Sequence, residues 1–397
     1  MLQAFFLFLK NIVILYSLKM SPIITSHYMF PQDKLYQLAL ILAEGVGDIT
    51  IRQLIAYCGS AENVLKSTIG KLVKIPGIQE NTAKKILKPE NLDLAQKQLQ
   101  IAEKQNINLL FYLDEAYPDR LKRQYDAPAF LYYKGNCNLN QTKIIGIVGT
   151  RNASEYGKRV TDEIVHDFQS QNVLIVSGLA YGIDIAAHKA SLKYGLPTIG
   201  VMASGLDFMY PAVHQKTADL MCQNGGILSE HSFGRKPDPR YFPARNRIIA
   251  GMSDAVIVVE AAAKGGALIT AEYANNYHKE VFAVPGNIGT GTSEGCNLLI
   301  KNNKAQIYTS SKDIIEALNW DLLSKENLPQ AAPQLDMSTF SDDEAQVISI
   351  LREKGEIQID ELAWVSQLHM NKLASLLLNL EFQGIVKSMA GKKYGLC

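Results

Sequence analysis

Paired cysteines are missing from this sequence. It has five cysteines in 397 residues, Cys58, Cys137, Cys222, Cys296 and Cys397, and none forms a C-x-x-C pair. An odd, scattered set argues against a disulfide framework and a structural zinc site, and it fits a reducing, cytoplasmic compartment. The seven histidines show no metal-ligand spacing either, so no metal is expected. Net charge is also slight: 40 basic and 39 acidic side chains leave +1. A polyanion would therefore have to meet a local patch rather than a generally basic surface. Beyond the first residues, no apolar run reaches membrane length. There is no G-x-G-x-x-G turn and no G-K-[ST] closing a P-loop, and no paired carboxylates or nucleophile–histidine arrangement accompany the glycine-rich segments that follow the strand-like runs. No catalytic residue and no cofactor is expected on these grounds. What remains is ordinary for a globular chain, 47% hydrophobic and 20% charged, and long enough for two or three domains.

The extreme N-terminus is apolar from Phe5 to Leu18, but Lys10 and Asn11 interrupt it. It is short for a spanning helix and lacks the charged start and small-residue cleavage site of a signal peptide. A membrane anchor, a weak signal and an upstream extension compete. Met20 and Met29 offer later starts, so residues 1–29 are read as an extension outside the mature fold. Residues 30–107 read as helices with short loops. EGVGDITIRQLI (Glu44 to Ile55) and KIPGIQENTAKKIL (Lys74 to Leu87) each place glycines in a turn before an amphipathic helix. The second is similar to a helix-hairpin-helix, whose backbone N–H groups can grip a phosphate. Plain helix packing around a glycine turn is the other reading.

From residue 108 to 320 strand and helix alternate. The runs KIIGIV (143–148), VLIVSG (173–178), PTIGVM (197–202), AVIVVE (255–260), EVFAVPG (280–286) and AQIYT (305–309) are strand-like. Continuous apolar strands with helices between them imply a mostly parallel, doubly wound, Rossmann-like sheet covered on both faces. Its ligands are expected at the C-terminal strand ends. Residues 321–339 read as a linker. Residues 340–397 read as three helices and a basic hairpin, a winged helix. Its third helix, Asn371 to Glu381, carries only Lys372 as a cation, a poor reader of a DNA groove. Protein binding and packing are open for it, and Lys387, Lys392 and Lys393 keep DNA contact open. The expected fold class is thus α/β, with an N-terminal all-α helix-hairpin-helix or SAM-like domain and a C-terminal winged helix.

The strand ends carry the chemistry. GIVGTRNASEYG (Gly146 to Gly157) brings a glycine turn, Arg151 and a helix start to one place, which suits a phosphate. SGLAYGIDIAAH (Ser177 to His188) sets Asp184 and His188 one helical turn apart, which suits a catalytic or metal-binding pair but, with no third ligand evident, is read as a helix cap and packing pair. Glycines at successive strand ends suggest an open floor, with Lys264, Arg151, Arg245 and Arg247 as a positive rim. The floor looks made to hold rather than to cut. Phe242 has two readings, a base-stacking platform or core packing.

Taken together, GTRNASEYG, SGLAYGID, Tyr210–Pro211, FPARNRIIAG, GGALITAEYA, FAVPG and GCNLLI resemble the DNA-processing protein A (DprA, or Smf) family over roughly Leu109 to Ser310. The resemblance implies a single-stranded DNA-binding protein of natural transformation. Such a protein protects incoming strands, forms a homodimer through the Rossmann-like domain and loads the recombinase RecA. It implies a DNA-binding surface of Gly149, Thr150, Arg151, Ser177, Gly178, Arg240, Phe242, Arg245, Asn246, Arg247, Lys264, Gly265, Gly266, Pro285, Gly286, Asn287, Gly295 and Asn297. Within it, Arg151 and Arg240 are expected on phosphate, and Phe242 on a base. Thr150, His214 and the NNKAQ stretch at 302–306 depart from the family's usual residues.

Arg245 and Arg247 are one residue apart on a helix and so cannot point the same way. One is expected on phosphate, the other braced by a neighbour such as Glu260 or Glu272. Two further functions stay open on the same fold. KGGALITAE resembles the G-G-x-G-T-x-x-E motif of nucleoside-monophosphate phosphoribohydrolases, with Glu272 as the acid, but Leu268 and Ile269 stand where glycine and threonine would cradle a phosphate. A sensor of free nucleotide would use the same floor without chemistry.

Overall fold

A computed structural model describes residues 32–320, 340–389 and 393–396. The apolar N-terminal stretch, the linker at 321–339 and Lys392 lie outside the described residues. The chain divides into two units between Asn319 and Trp320.

The first unit opens with six helices, α1 (Gln32–Ile41), α2 (Asp48–Cys58), α3 (Ala61–Leu65), α4 (Ile69–Leu72), α5 (Glu80–Ile86) and α6 (Glu90–Lys104). Their apolar faces meet in a core that includes Leu38, Leu54, Val64, Leu72, Ile86 and Leu99. That core continues without a break into Phe111, Phe130 and Tyr132 of the sheet that follows. The polar seam between the two is specific. Lys34 pairs with Asp114, and Gln98 exchanges two hydrogen bonds with the backbone of Phe233, at 2.9 and 3.2 Å.

The sheet domain runs β1 (Asn108–Phe111), α7 (Asp119–Lys122), β2 (Phe130–Gly135), β3 (Ile144–Val148), α8 (Glu155–Asp167), β4 (Leu174–Ser177), α9 (Ile183–Tyr194), β5 (Thr198–Val201), α10 (Gln215–Met221), β6 (Gly225–Ser229), α11 (Tyr241–Met252), β7 (Ala255–Val258), α12 (Gly266–Asn276), β8 (Glu280–Ala283), α13 (Glu294–Lys301), β9 (Gln306–Ile307) and α14 (Ser311–Ala317). Strand order is β1-β2-β6-β5-β4-β3-β7-β8-β9. From β6 to β9 every pairing is parallel, and β1 and β2 add an antiparallel edge. The central strands β3, β4, β5 and β7 are buried along their whole length, as their unbroken apolar runs require. The chain winds outward from β3 to β6 and then returns to place β7 on the other side of β3. Between β3 and β7 lies the topological switch point, where an open parallel sheet leaves a crevice.

All six strand-like runs named from the sequence contain a strand. β1, β2 and β6 were not among them, β1 (NLLF) being only four residues long. β6 opens on Gly225–Gly226, which hides its short apolar run, and β2 (FLYYKG) is aromatic rather than β-branched.

The second unit holds α15 (Asp342–Lys354), β10 (Ile357–Gln358), α16 (Ile359–Ser366), α17 (Met370–Phe382), β11 (Val386–Met389) and β12 (Lys393–Leu396). Ser341 and Glu344 form a reciprocal capping box at the start of α15. Three helices around Val347, Leu351, Leu362, Leu373, Leu377 and Leu380, with a small sheet in the order β10-β12-β11, make a winged helix. Lys372, the one cation of α17, is paired with Asp343.

Candidate nucleic-acid interface

A cleft of 440 Å³ opens at the switch point. One wall is the turn after β3, Gly149 to Arg151. The other is the loop after β7 with the start of α12, including Ala261, Gly265, Gly266 and Thr270. The first residues of α11 close the third side with Phe242, Pro243, Arg245 and Asn246. Arg151 is exposed at the mouth, and its guanidinium lies 5.1 Å from the centre of the Phe242 ring. It has no ion-pair partner among the described residues. Tyr210 packs edge-on against Phe242, with ring centres 5.6 Å apart. A small side pocket lined by Arg151, Tyr181, Tyr210, Pro211 and Phe242 continues the same surface. Tyr181 is held by His214, whose ring lies 5.1 Å away and whose Nδ1 is 2.8 Å from the Leu179 carbonyl.

Local structure explains why Arg151 stands there. The Thr150 amide donates to the Glu260 carbonyl at 2.7 Å, locking the turn after β3 onto the end of β7. The Glu260 carboxylate is buried and accepts from the Ser154 amide and hydroxyl at 2.9 and 2.6 Å. Ser154 in turn caps α8, accepting from the Gly157 amide at 3.1 Å. So Glu260 fixes both ends of the segment that presents Arg151.

Beneath the mouth, Arg245 is buried. It donates to the carbonyls of Gly178, at 2.6 Å, and Val201, and its Nε donates to Asn246 Oδ1 at 3.1 Å. Burial pulls this guanidinium down to about 10, against the attraction of Asp184. The Asp184 carboxyl, also buried in the cleft floor, is held above its ordinary range by burial, with Arg245 opposing. His188 lies deeper, with Nδ1 at 2.7 Å from Thr198 Oγ1, and burial takes it down to about 3. Among the described residues no cluster of metal ligands forms.

The structure sorts the expected residues. Gly149, Thr150, Arg151, Phe242, Arg245, Asn246, Gly265 and Gly266 line the cleft, and Gly178 lines the side pocket. Ser177 is buried and donates to the Ile147 carbonyl at 2.6 Å. Phe242 is half-buried at the cleft wall rather than packed into the core. Arg247 does not pair with Glu260 or Glu272. It pairs with Glu230 and reaches Asp48 at 3.7 Å, because residue 247 falls on the face of α11 turned toward the helical unit. Burial works against its charge, but the two carboxylates outweigh that and hold it above its ordinary range. Neither of the two arginines therefore rims the cleft. Arg240 points outward, its charge already matched by Asp238 through bonds of 2.9 and 2.8 Å. Lys264 is exposed on the loop before α12 and lies off the cleft lining. Pro285, Gly286, Asn287 and Asn297 are not in its lining either, and Gly295 packs behind it, its amide donating to the Ala261 carbonyl at 2.8 Å. There the Asn297 side chain ties the Gly286 backbone with bonds of 2.9 and 3.2 Å.

The glycines are not an open floor. A Cβ on Gly178 would meet Arg245 and Asp184 at 2.5 Å, and one on Gly149 would meet Ile183 at 2.4 Å. These positions are bare because protein packs onto them. Gly266, at the start of α12, is the open one, with nothing within 4 Å. Sequence reasoning passed over Tyr181 and Tyr210 as site residues, although an exposed aromatic beside each glycine turn was the available signal. Glu272 is exposed, bonded to Lys304 at 2.9 Å, and off the cleft lining.

A Rossmann-like sheet with a cation and aromatic rings at its switch point belongs to the nucleotide- and nucleic-acid-binding class. The family model described as DNA recombination-mediator protein A matches residues 108–319, and that of the DprA winged helix domain matches residues 326–392. The chain is 42% identical to DNA processing protein DprA of Streptococcus pneumoniae over 203 residues, 51% of this chain and 71% of that one. It is 43% identical to DNA processing protein DprA of Bacillus subtilis over 215 residues, 54% of this chain and 72% of that one. The crystal structure of the Streptococcus pneumoniae protein superposes with a TM-score of 0.62 at 35% identity, covering 72% of this chain and 98% of that one. The chain belongs to the DNA recombination-mediator protein A family.

Proposed function

We propose that the cleft binds single-stranded DNA, with Arg151 on a phosphate and Phe242, Tyr210 and Tyr181 available to bases. The observation that carries this is the exposed guanidinium of Arg151, without an ion-pair partner among the described residues, lying over the Phe242 ring at 5.1 Å at the mouth of the switch-point cleft. Single-strand sites combine a backbone-tracking cation with aromatic faces on which bases stack, and tolerate any sequence because every base has such a face. A duplex hides those faces, so an aromatic platform favours single strands.

The role is binding rather than bond cleavage. The acids near the cleft are committed to structure: Glu260 holds Ser154, Asp184 faces Arg245, and Glu272 is outside. Membership in a recombination-mediator family supports delivery of the bound strand to the recombinase RecA during natural transformation. A homodimer through the sheet domain completes the reading. The free cysteines Cys58, Cys137, Cys222 and Cys296 suit the reducing cytoplasm. No helix among the described residues is long and apolar enough to cross a membrane.

Fluorescence-anisotropy titration with a long poly-dT strand, a matched duplex and a mononucleotide, at two salt concentrations, tests the reading. Tight, salt-sensitive preference for the long strand is expected. Equal or better binding of the mononucleotide would overturn it.

A further inference from the structure

The helical unit carries a second groove that the cleft reading does not use. It measures 600 Å³ and is lined by Tyr57 and Cys58 at the end of α2, Asn63, Lys66 and Ser67 around α3, and Lys71, Lys74 and Ile75 around α4. Residues 57–75 contain three lysines and a single acid, Glu62, in a chain whose overall charge is close to zero. Lys66 pairs with Glu62 at 2.6 Å, an exposed pair on one helical turn that a phosphate can displace. Lys71 and Lys74 are exposed and have no ion-pair partner among the described residues. Tyr57 is 61% exposed beside them.

The other polar groups of the groove are spent internally. Asn63 donates to the Cys58 carbonyl at 2.9 Å, and Ser67 donates to the Asn63 carbonyl at 2.7 Å. So the groove offers mobile cations and an aromatic face, not a set of fixed hydrogen-bond readers. That is the chemistry of a backbone-tracking contact with stacking, indifferent to sequence. Lys74 and Ile75 lead directly into the Pro76–Gly77 turn, where Gly77 has φ +80° and open space around it. The hairpin turn therefore leaves its approach clear.

We propose that this groove is a second contact for single-stranded nucleic acid, so that one chain holds a strand at two places. It goes beyond the cleft reading and can stand or fall separately. An acidic protein segment would match the lysines, but it would leave the exposed ring of Tyr57 without a role.

The test titrates the full chain with poly-dT in two lengths. One is about six nucleotides, enough for a single site, and the other several times longer. Lys71→Glu/Lys74→Glu is expected to weaken long-strand binding at low salt by about fivefold or more. It should lower the salt slope by roughly 1.4, the value for two lost phosphate contacts, and leave the short strand unaffected. Lys71→Ala/Lys74→Ala should move the same way by less. Tyr57→Ala should weaken the long strand without changing the slope. Wild-type binding of both lengths by the charge-reversed variant, with an unchanged circular dichroism spectrum, would overturn the proposal. So would polyglutamate displacing the long strand as well as poly-dT of equal charge does. If Arg151→Ala leaves short-strand binding intact, the cleft reading fails while the groove stands.

Discussion

The guanidinium of Arg247 joins Asp48, the first residue of α2, to the sheet domain, with Nη2 at 3.7 Å from the Asp48 carboxylate and bonded to Glu230 as well. Asp48 also accepts from the Ala129 amide at 2.8 Å, and Arg52 one turn on donates to the Ala127 carbonyl at 3.2 Å. The first glycine turn of the helical unit thus docks against its own chain. This leads to a first prediction. Arg247→Ala should destabilise the protein by about 2–3 kcal/mol, since it leaves the half-buried Glu230 carboxylate without its partner. The folded variant should keep the wild-type salt slope for poly-dT. Urea melts and anisotropy on the same preparation check both. A normal melt with a lowered slope would put Arg247 on DNA.

Arg151 is the opposite case, a cation with no ion-pair partner among the described residues, resting on the Phe242 ring. Arg151→Ala should lower stability by no more than about 1 kcal/mol, the worth of an exposed cation–π contact. It should weaken poly-dT binding roughly tenfold at low salt, as expected for one charge-assisted contact, and reduce the salt slope by about 0.7. Arg151→Lys should restore most of the slope, but less of the affinity, because lysine lacks the planar guanidinium fork that binds a phosphate through two bonds.

The aromatic residues predict a different signature. Phe242→Ala and Tyr210→Ala should each cost about 1–3 kcal/mol of strand affinity, with no change in salt slope. Their rings touch, so the double variant should lose less than the sum of the two. Replacement of either by leucine, which keeps the apolar bulk but not the flat face, should recover little. Full recovery by leucine would mean that the rings only shape the wall.

The difference between these residues shows what the sequence could convey. Continuous apolar runs such as AVIVVE announced buried parallel strands, because burial on both faces leaves no polar positions. A site at the C-terminal strand ends followed from strand alternation, but which two strands frame it came only with the strand order. The direction of a side chain did not. Arg245 and Arg247 look alike in FPARNRIIAG. Only the angle of α11 over the sheet sends one beneath the cleft and the other toward α2. The glycines misled for a related reason. An empty Cβ position signals close approach, but the sequence does not say whether protein or ligand approaches. At Gly149 and Gly178 it is protein.

Buried His188 gives a prediction about pH. Burial, reinforced by His214 and Arg245, lowers it to about 3, so it stays neutral in the folded chain while an unfolded chain protonates it below its ordinary value. The unfolded state then binds more protons, and stability falls as pH drops from about 6.5 toward 3. Other buried groups titrate in the same range, so the useful quantity is the difference between wild type and His188→Gln. Between pH 7 and 4.5 the wild type should lose about 2–3 kcal/mol more than the variant. Urea melts across that range measure it. Parallel curves would mean that His188 titrates alike in both states.

The winged helix supplies the last prediction. Its α17 buries Leu373, Leu377 and Leu380 and has its one lysine tied to Asp343, so it offers no free cation to a DNA groove. Yet Trp364 and Phe382 of the same unit are 75% and 83% exposed, which suits contact with a protein rather than a phosphate backbone. A chain ending at Asn319 keeps all residues of the cleft and of the lysine groove. It should bind poly-dT within about twofold of the full chain and with the same salt slope, as expected of an independently packed unit. Trp364→Ala in the full chain should likewise leave strand binding unchanged. A loss of tenfold or more on truncation would assign the strand to Lys387 and Lys393 of the wing instead, and charge reversal of those two residues would then reproduce it.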